Sequence, residues 1–173
     1  MKRIATLAAL ILLSSHTALA ADAKPDVQAE MKKMQEAQAK LMSAMMLEKK
    51  SRLGFDETVA ALQAAAKKRG WEVGPVMDMQ EAMLKAGHKG SKPFKMLAMC
   101  KKDLAESLLK AQVEQKAMPF APCRMSVFEG NDGKVYIAKP NTEFMAQMAT
   151  PSFQPLLKKF VEEEKALLAN IAE

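Results

Sequence analysis

Histidine is scarce in this sequence, and the scarcity removes whole classes of chemistry. Only His16 and His88 occur in the 173 residues, and His16 falls in an N-terminal segment that reads as cleaved. A histidine-based triad, a His-rich zinc site and the C-x-x-C-H haem attachment pattern have almost nothing to build on. Conventional hydrolysis ranks last, which favours a non-catalytic role without deciding between it and thiol chemistry. Long apolar runs are missing too. The run from Ile4 to Leu13 is too short for a bilayer core, which takes about 20 apolar residues as helix. No membrane span is expected after signal cleavage. Blocks of one charge sign are also absent. The formal charge of +6, about +4 without Lys2 and Arg3, is spread along the chain. It reads as solvated helix faces and argues against a nucleic-acid partner. Aromatic residues are few. One Trp and one Tyr stand against 15 Met, so thioether side chains replace aromatic bulk.

The first twenty residues carry an address. Lys2 and Arg3 precede the short apolar run, and Ala18-Leu19-Ala20 supplies the small-x-small site of a signal peptidase. Residues 1–20 are therefore expected to be a secretory signal peptide, and the remainder a soluble, exported, periplasmic protein. No cysteine follows the site, which argues against a lipoprotein. Residues 21–46 form a Met-rich helical segment, with Val27, Met31, Met34, Leu41 and Met45 at three-, four- and seven-residue spacing. Its apolar face suits its own domain, a second copy or a partner protein. Met46 to Ser51 fits a strand as well as a helix end.

Punctuation then becomes regular. Asp56 reads as the cap of a helix carrying Phe55, Val59, Leu62 and Ala66, stopped by Lys67-Lys68-Arg69-Gly70. Trp71 to Met77 reads as a strand, and Gly74-Pro75 marks it as an edge or a bulge. Asp78 and Glu81 have capping-box spacing for a short helix closed at Gly87. Phe94 to Cys100 alternates as a strand, with Phe94, Met96, Ala98 and Cys100 on one face. Asp103 and Glu106 open a helix with Leu104, Leu108 and Ala111. Cys123 to Glu129 and Lys134 to Lys139 form a hairpin about Gly130-Asn131-Asp132-Gly133, and Thr150-Pro151 announces a last amphipathic helix. The expected fold class is α+β: a small, mainly antiparallel sheet with helices packed on one face, plus amphipathic N- and C-terminal helices. Its segments are 1–20, 21–46, 47–148 and 149–173.

The order of features resembles the family called domain of unknown function 302. The resemblance rests on Ser51-Arg52-Leu53-Gly54-Phe55-Asp56-Glu57-Thr58-Val59, on Gly70-Trp71, and on Met77-Asp78-Met79-Gln80. It continues through the strand ending at Cys100, Pro122-Cys123-Arg124-Met125-Ser126-Val127-Phe128-Glu129, Asp132-Gly133-Lys134-Val135-Tyr136 and Asn141-Thr142. It spans about Leu47 to Met148. It implies an α+β domain with a Cys at each of positions 100 and 123. Met77 stands where the family often has His.

Cys100 ends a strand just before a helix start, where backbone N–H groups would favour a thiolate. Cys123 starts the next strand. Three states stay open for the pair: a structural disulfide, suited to an oxidising compartment; a redox-active or sulfur-carrying pair; or a copper(I) site, since thiolate and thioether ligands select that ion. Met77 and Met99 are the candidate thioethers beside Cys100 and Cys123, with Met79 and Met96 nearby. The expected function is that of a non-catalytic binding or accessory protein centred on the Cys pair. The alternative is a thiol-dependent redox or sulfur-transfer factor.

Overall fold

The computed structural model describes residues 25–114 and 124–173. The expected signal peptide and Cys123 lie outside the described residues. Element order is α1 (Pro25–Ala44), β1 (Met46–Lys50), α2 (Phe55–Lys68), β2 (Glu72–Asp78), α3 (Met79–Lys85), β3 (Phe94–Cys100), α4 (Lys102–Glu114), β4 (Arg124–Glu129), β5 (Val135–Pro140), α5 (Thr142–Met148) and α6 (Gln154–Leu168). The five strands form one antiparallel sheet in the order β1-β5-β4-β3-β2. The chain is therefore α+β, as its sequence implies. Among the described residues, those up to Met42 group apart from those after it.

Alternation decides what each sheet face does. Leu97 pairs with Met125, and Val127 pairs with Ile137 and Lys95, so Leu97, Met99, Met125, Val127 and Ile137 share one face. All five are essentially buried, beneath Val59, Leu62 and Ala66 of α2 and Leu167 and Leu168 of α6. A second apolar cluster joins Leu108 of α4 and Ala146 of α5 to Phe153, Leu157 and Phe160. Phe94, Met96, Ala98 and Cys100, the face picked out by alternation in the sequence, lie on the other side. Apart from Lys95, β3 is apolar on both faces, so periodicity alone does not say which one closes.

Several boundaries follow the residues, and some differ from the sequence reading. β2 is an edge strand whose register slips between Val73 and Val76, around Gly74-Pro75. Asp78 caps α3 by accepting from Glu81 N at 2.9 Å. Gly70 takes φ 71° after α2, the left-handed stop that a Cβ disfavours. The cap of α2 is Gly54 rather than Asp56. Gly54 N donates to Glu57 Oε2 at 3.2 Å, and Asp56 sits in the first turn. Asp103 likewise lies inside α4, in its first turn. α5 has no counterpart in the sequence reading. Asn141 caps it, accepting from Phe144 N at 3.1 Å, and a seven-residue helix shows little periodicity.

Two polar clasps tie the layers. Ser51 Oγ meets Thr58 Oγ1 at 2.6 Å and donates to Ile171 O at 3.3 Å, joining the end of β1, the start of α2 and the C-terminal segment. Deeper, Lys139 Nζ donates to Glu164 Oε2 at 2.7 Å, and Thr142 Oγ1 donates to Glu164 Oε1 at 3.2 Å. Glu164 is 2% exposed and Lys139 6%. Burial pushes the Glu164 carboxyl above its ordinary range, against the opposing pull of Lys139 and Thr142.

The folded chain thus holds the Glu164 proton more tightly than the unfolded chain does. Glu164 favours folding below the ordinary carboxylate range, about 4.3, and that contribution is lost as pH rises through the raised folded value. Denaturant unfolding across pH is expected to show this loss in the native protein and not in Glu164→Gln. Lys139→Ala, which leaves the buried carboxylate alone, is expected to cost about 3–5 kcal/mol near neutral pH.

Candidate functional site

The face turned away from α2 and α6 carries an apolar hollow. Its floor comes from four strands: Met46, Phe94, Ser126, Phe128 and Ala138. Phe94 stands opposite Phe128, and Ser126 opposite Ala138, so the pleat brings all four side chains to one surface. One wall is α3, where Met79 and Met83 are four residues apart and so share a helix face. The end is closed by Ser91, Lys92 and Pro93. The groove encloses about 520 Å³.

Local chemistry holds this shape. The loop after α3 is tied down by Gln80 Nε2 donating to Ser91 O at 2.8 Å and by Glu129 N donating to Pro93 O at 3.0 Å. Lys92 Nζ donates to Gly130 O at 2.6 Å. The aromatic floor is ordered by an edge-on contact of Phe94 with Phe128, centroids 6.4 Å apart, and by Tyr136 stacked on Phe128 at 5.7 Å. Tyr136 OH in turn donates to Asp132 Oδ2 at 2.8 Å. That bond holds the Asp132 carboxyl below its ordinary range and raises the Tyr136 hydroxyl. Gly130 is required here, because a Cβ would come within 2.8 Å of both Asp132 Oδ1 and Tyr136 Cε2.

Ionisable chemistry is thin in the groove. Among the described residues the groups with displaced pKa values are Lys85, Asp132, Tyr136 and Glu164, and none of them lines it. Lys92 and Glu129 supply the charge, while Gln80, Ser91 and Ser126 supply neutral polar groups. His88 is exposed in the loop after α3. Among the described residues no group of three or more His, Cys, Asp or Glu is placed to hold a metal ion.

The structure sets Met77 and Met99, the candidate copper(I) thioethers, apart from Cys100. Cys100 lies on the groove face of β3, opposite Glu72. Met99, its neighbour in sequence, points the other way and is 1% exposed in the core. Met99 therefore leaves the ligand set, because adjacent strand residues face opposite sides. Met77 is on the Cys100 face but pairs with Met96, four residues or about 13 Å along the strand. It leaves the set as well. Among the described residues no cysteine is free. Nor does Cys100 belong to the groove, since Phe94 and Cys100 end the same strand about 20 Å apart. The sequence did contain a sign of the groove. Met79, Met83, Phe94 and Phe128 are large apolar residues beyond those the core uses, and β3 is apolar on both sides.

The fold has a solved counterpart. The crystal structure of an uncharacterized conserved protein DUF302 from Bacillus stearothermophilus superposes with a TM-score of 0.62 at 22% identity, over 73% of this chain and 97% of that one. No curated protein matches. The family described as domain of unknown function DUF302 matches residues 47–171, which takes in α6 beyond the stretch recognised in the sequence. The chain belongs to the DUF302 family.

Proposed function

We propose that this chain is an exported, periplasmic, non-catalytic binding protein that holds an apolar small molecule in the groove of its open sheet face. The observation that carries this reading is the lining: thioether and phenyl groups around about 520 Å³, with a few neutral polar groups. That is the volume and chemistry of a small-molecule site. A ligand bearing one neutral hydrogen-bonding group suits Ser126 and Gln80 best, because most of the remaining wall is apolar. Export is supported by the residue pattern of positions 1–20. No described helix is long and apolar enough to cross a membrane.

Cys100 and Cys123 act in this reading as a brace. Cys123 is one peptide link before Arg124, which stands opposite Ala98, two residues from Cys100. The start of β4 thus lies beside the end of β3, and an oxidising compartment favours a disulfide between the two cysteines of the sequence. A disulfide there ties the end of β3 to the start of β4. The second reading, a thiol-dependent redox or sulfur-transfer factor, draws on Cys100 standing two residues before α4 begins.

Two measurements check the proposal. Titration of the protein with a neutral apolar fluorophore, N-phenyl-1-naphthylamine, is expected to saturate at one site. Ala138→Trp, which fills the floor, is expected to weaken binding by about tenfold, or about 1.4 kcal/mol, with the unfolding midpoint unchanged. Equal binding by both proteins contradicts the groove as the site. Protein recovered from the periplasm is expected to show no free thiol without reductant. A fast-reacting thiolate there instead supports the redox reading.

A further inference from the structure

The Met-rich helix α1 buries none of the large apolar residues on its surface. Val27 is 46% exposed, Met31 51%, Met34 71%, Leu41 43% and Met42 60%. They line a seam spaced four, three, four and three residues apart through Val27, Met31, Met34, Gln38 and Leu41. Apart from Met42, the large apolar residues form a narrow two-in-seven stripe, the width of a helix–helix seam rather than of a helix covering a globular core. Charges keep away from it. Lys32, Lys33, Glu36 and Lys40 occupy outward positions, and two of the lysines are paired within the helix, Lys33 to Glu30 at 2.8 Å and Lys32 to Glu36 at 3.9 Å.

We infer that α1 is a self-association device, pairing with α1 of a second copy in a parallel, in-register coiled coil. Gln38 selects the occupant. It stands mid-seam at a position facing the partner helix, and its amide has both donors and an acceptor. In a parallel pair it meets its own copy, so each amide donates to the other, and a single polar seam residue of this kind fixes register and orientation. A foreign apolar helix would leave that amide unmatched. The flanks are compatible with a like partner, since only Glu30 among the seam-flanking residues is charged. With Met42 included, ten large apolar side chains leave the water in a dimer. At roughly 60–120 Å² each they bury about 600–1,200 Å², at or below the lower edge for a stable interface. The expected association is weak and reversible.

Sedimentation equilibrium of the mature, full-length protein tests this. A monomer–dimer equilibrium with a dissociation constant of about 10⁻⁵ M is expected. Met34→Lys is expected to weaken it at least about tenfold, and Gln38→Leu to strengthen association by about the same factor or raise the stoichiometry. Since the Met34 and Gln38 side chains are exposed, both variants should keep the native unfolding midpoint. A monomer throughout the accessible concentration range overturns the inference. A dimer that Met34→Lys and Gln38→Leu leave unchanged overturns it equally.

Discussion

Leu97, Met99, Met125, Val127 and Ile137 meet α2 and α6 across one face of the sheet, and the other features of the domain are placed by that contact. Each such side chain contributes about 1.5–3 kcal/mol on burial, against a net of about 0.5–1.5 kcal/mol for a hydrogen bond. Apolar packing therefore decides which face closes. The clasps at Ser51–Thr58 and Lys139–Glu164 fix how the closed layers register. The buried ion pair adds little net stability, because burial costs it most of what Coulomb attraction returns.

Closing one face leaves the other with its alternate side chains, and in this chain those are Phe94, Met96, Ser126, Phe128 and Ala138. A solvated antiparallel face is ordinarily polar. Here α3 leans over it and the hairpin turn at Gly130 fastens the loop beside it, so the bare apolar surface becomes a bounded groove. Methionine suits such a surface, since its unbranched thioether adapts to ligands of different outline. The binding role proposed for the groove draws on the same lining of thioether and phenyl groups. The brace proposed for Cys100 and Cys123 would act at the far end of β3, holding the strand that carries the floor.

Much of the fold was legible in the sequence because its signals are local. Gly70 stops α2, Asp78 caps α3, Gly74-Pro75 marks an edge strand with a bulge, and Gly130 to Gly133 turns the hairpin. The helix cap at Gly54 was harder to see, since its partner is the Glu57 side chain rather than a capping side chain of its own. α5 was too short for periodicity. The site was less legible still, for a physical reason. A strand that is apolar on both faces gives no alternation to separate core from surface, and only the packing of α2 and α6 shows that the Met99 face is the one that closes. Cysteine drew attention by its rarity, whereas methionine and phenylalanine passed as core.

The central claim is that the groove face, and not the core or α1, receives the ligand. Methyl resonances of the methionines report it directly, by titrating methyl-labelled protein with the neutral apolar fluorophore. The account predicts shifts at Met46, Met79 and Met83, with Met99 and Met125, which are 1% and 2% exposed, left in place. Shifts confined to Met31, Met34 and Met42, or no shifts at saturating probe, would contradict it.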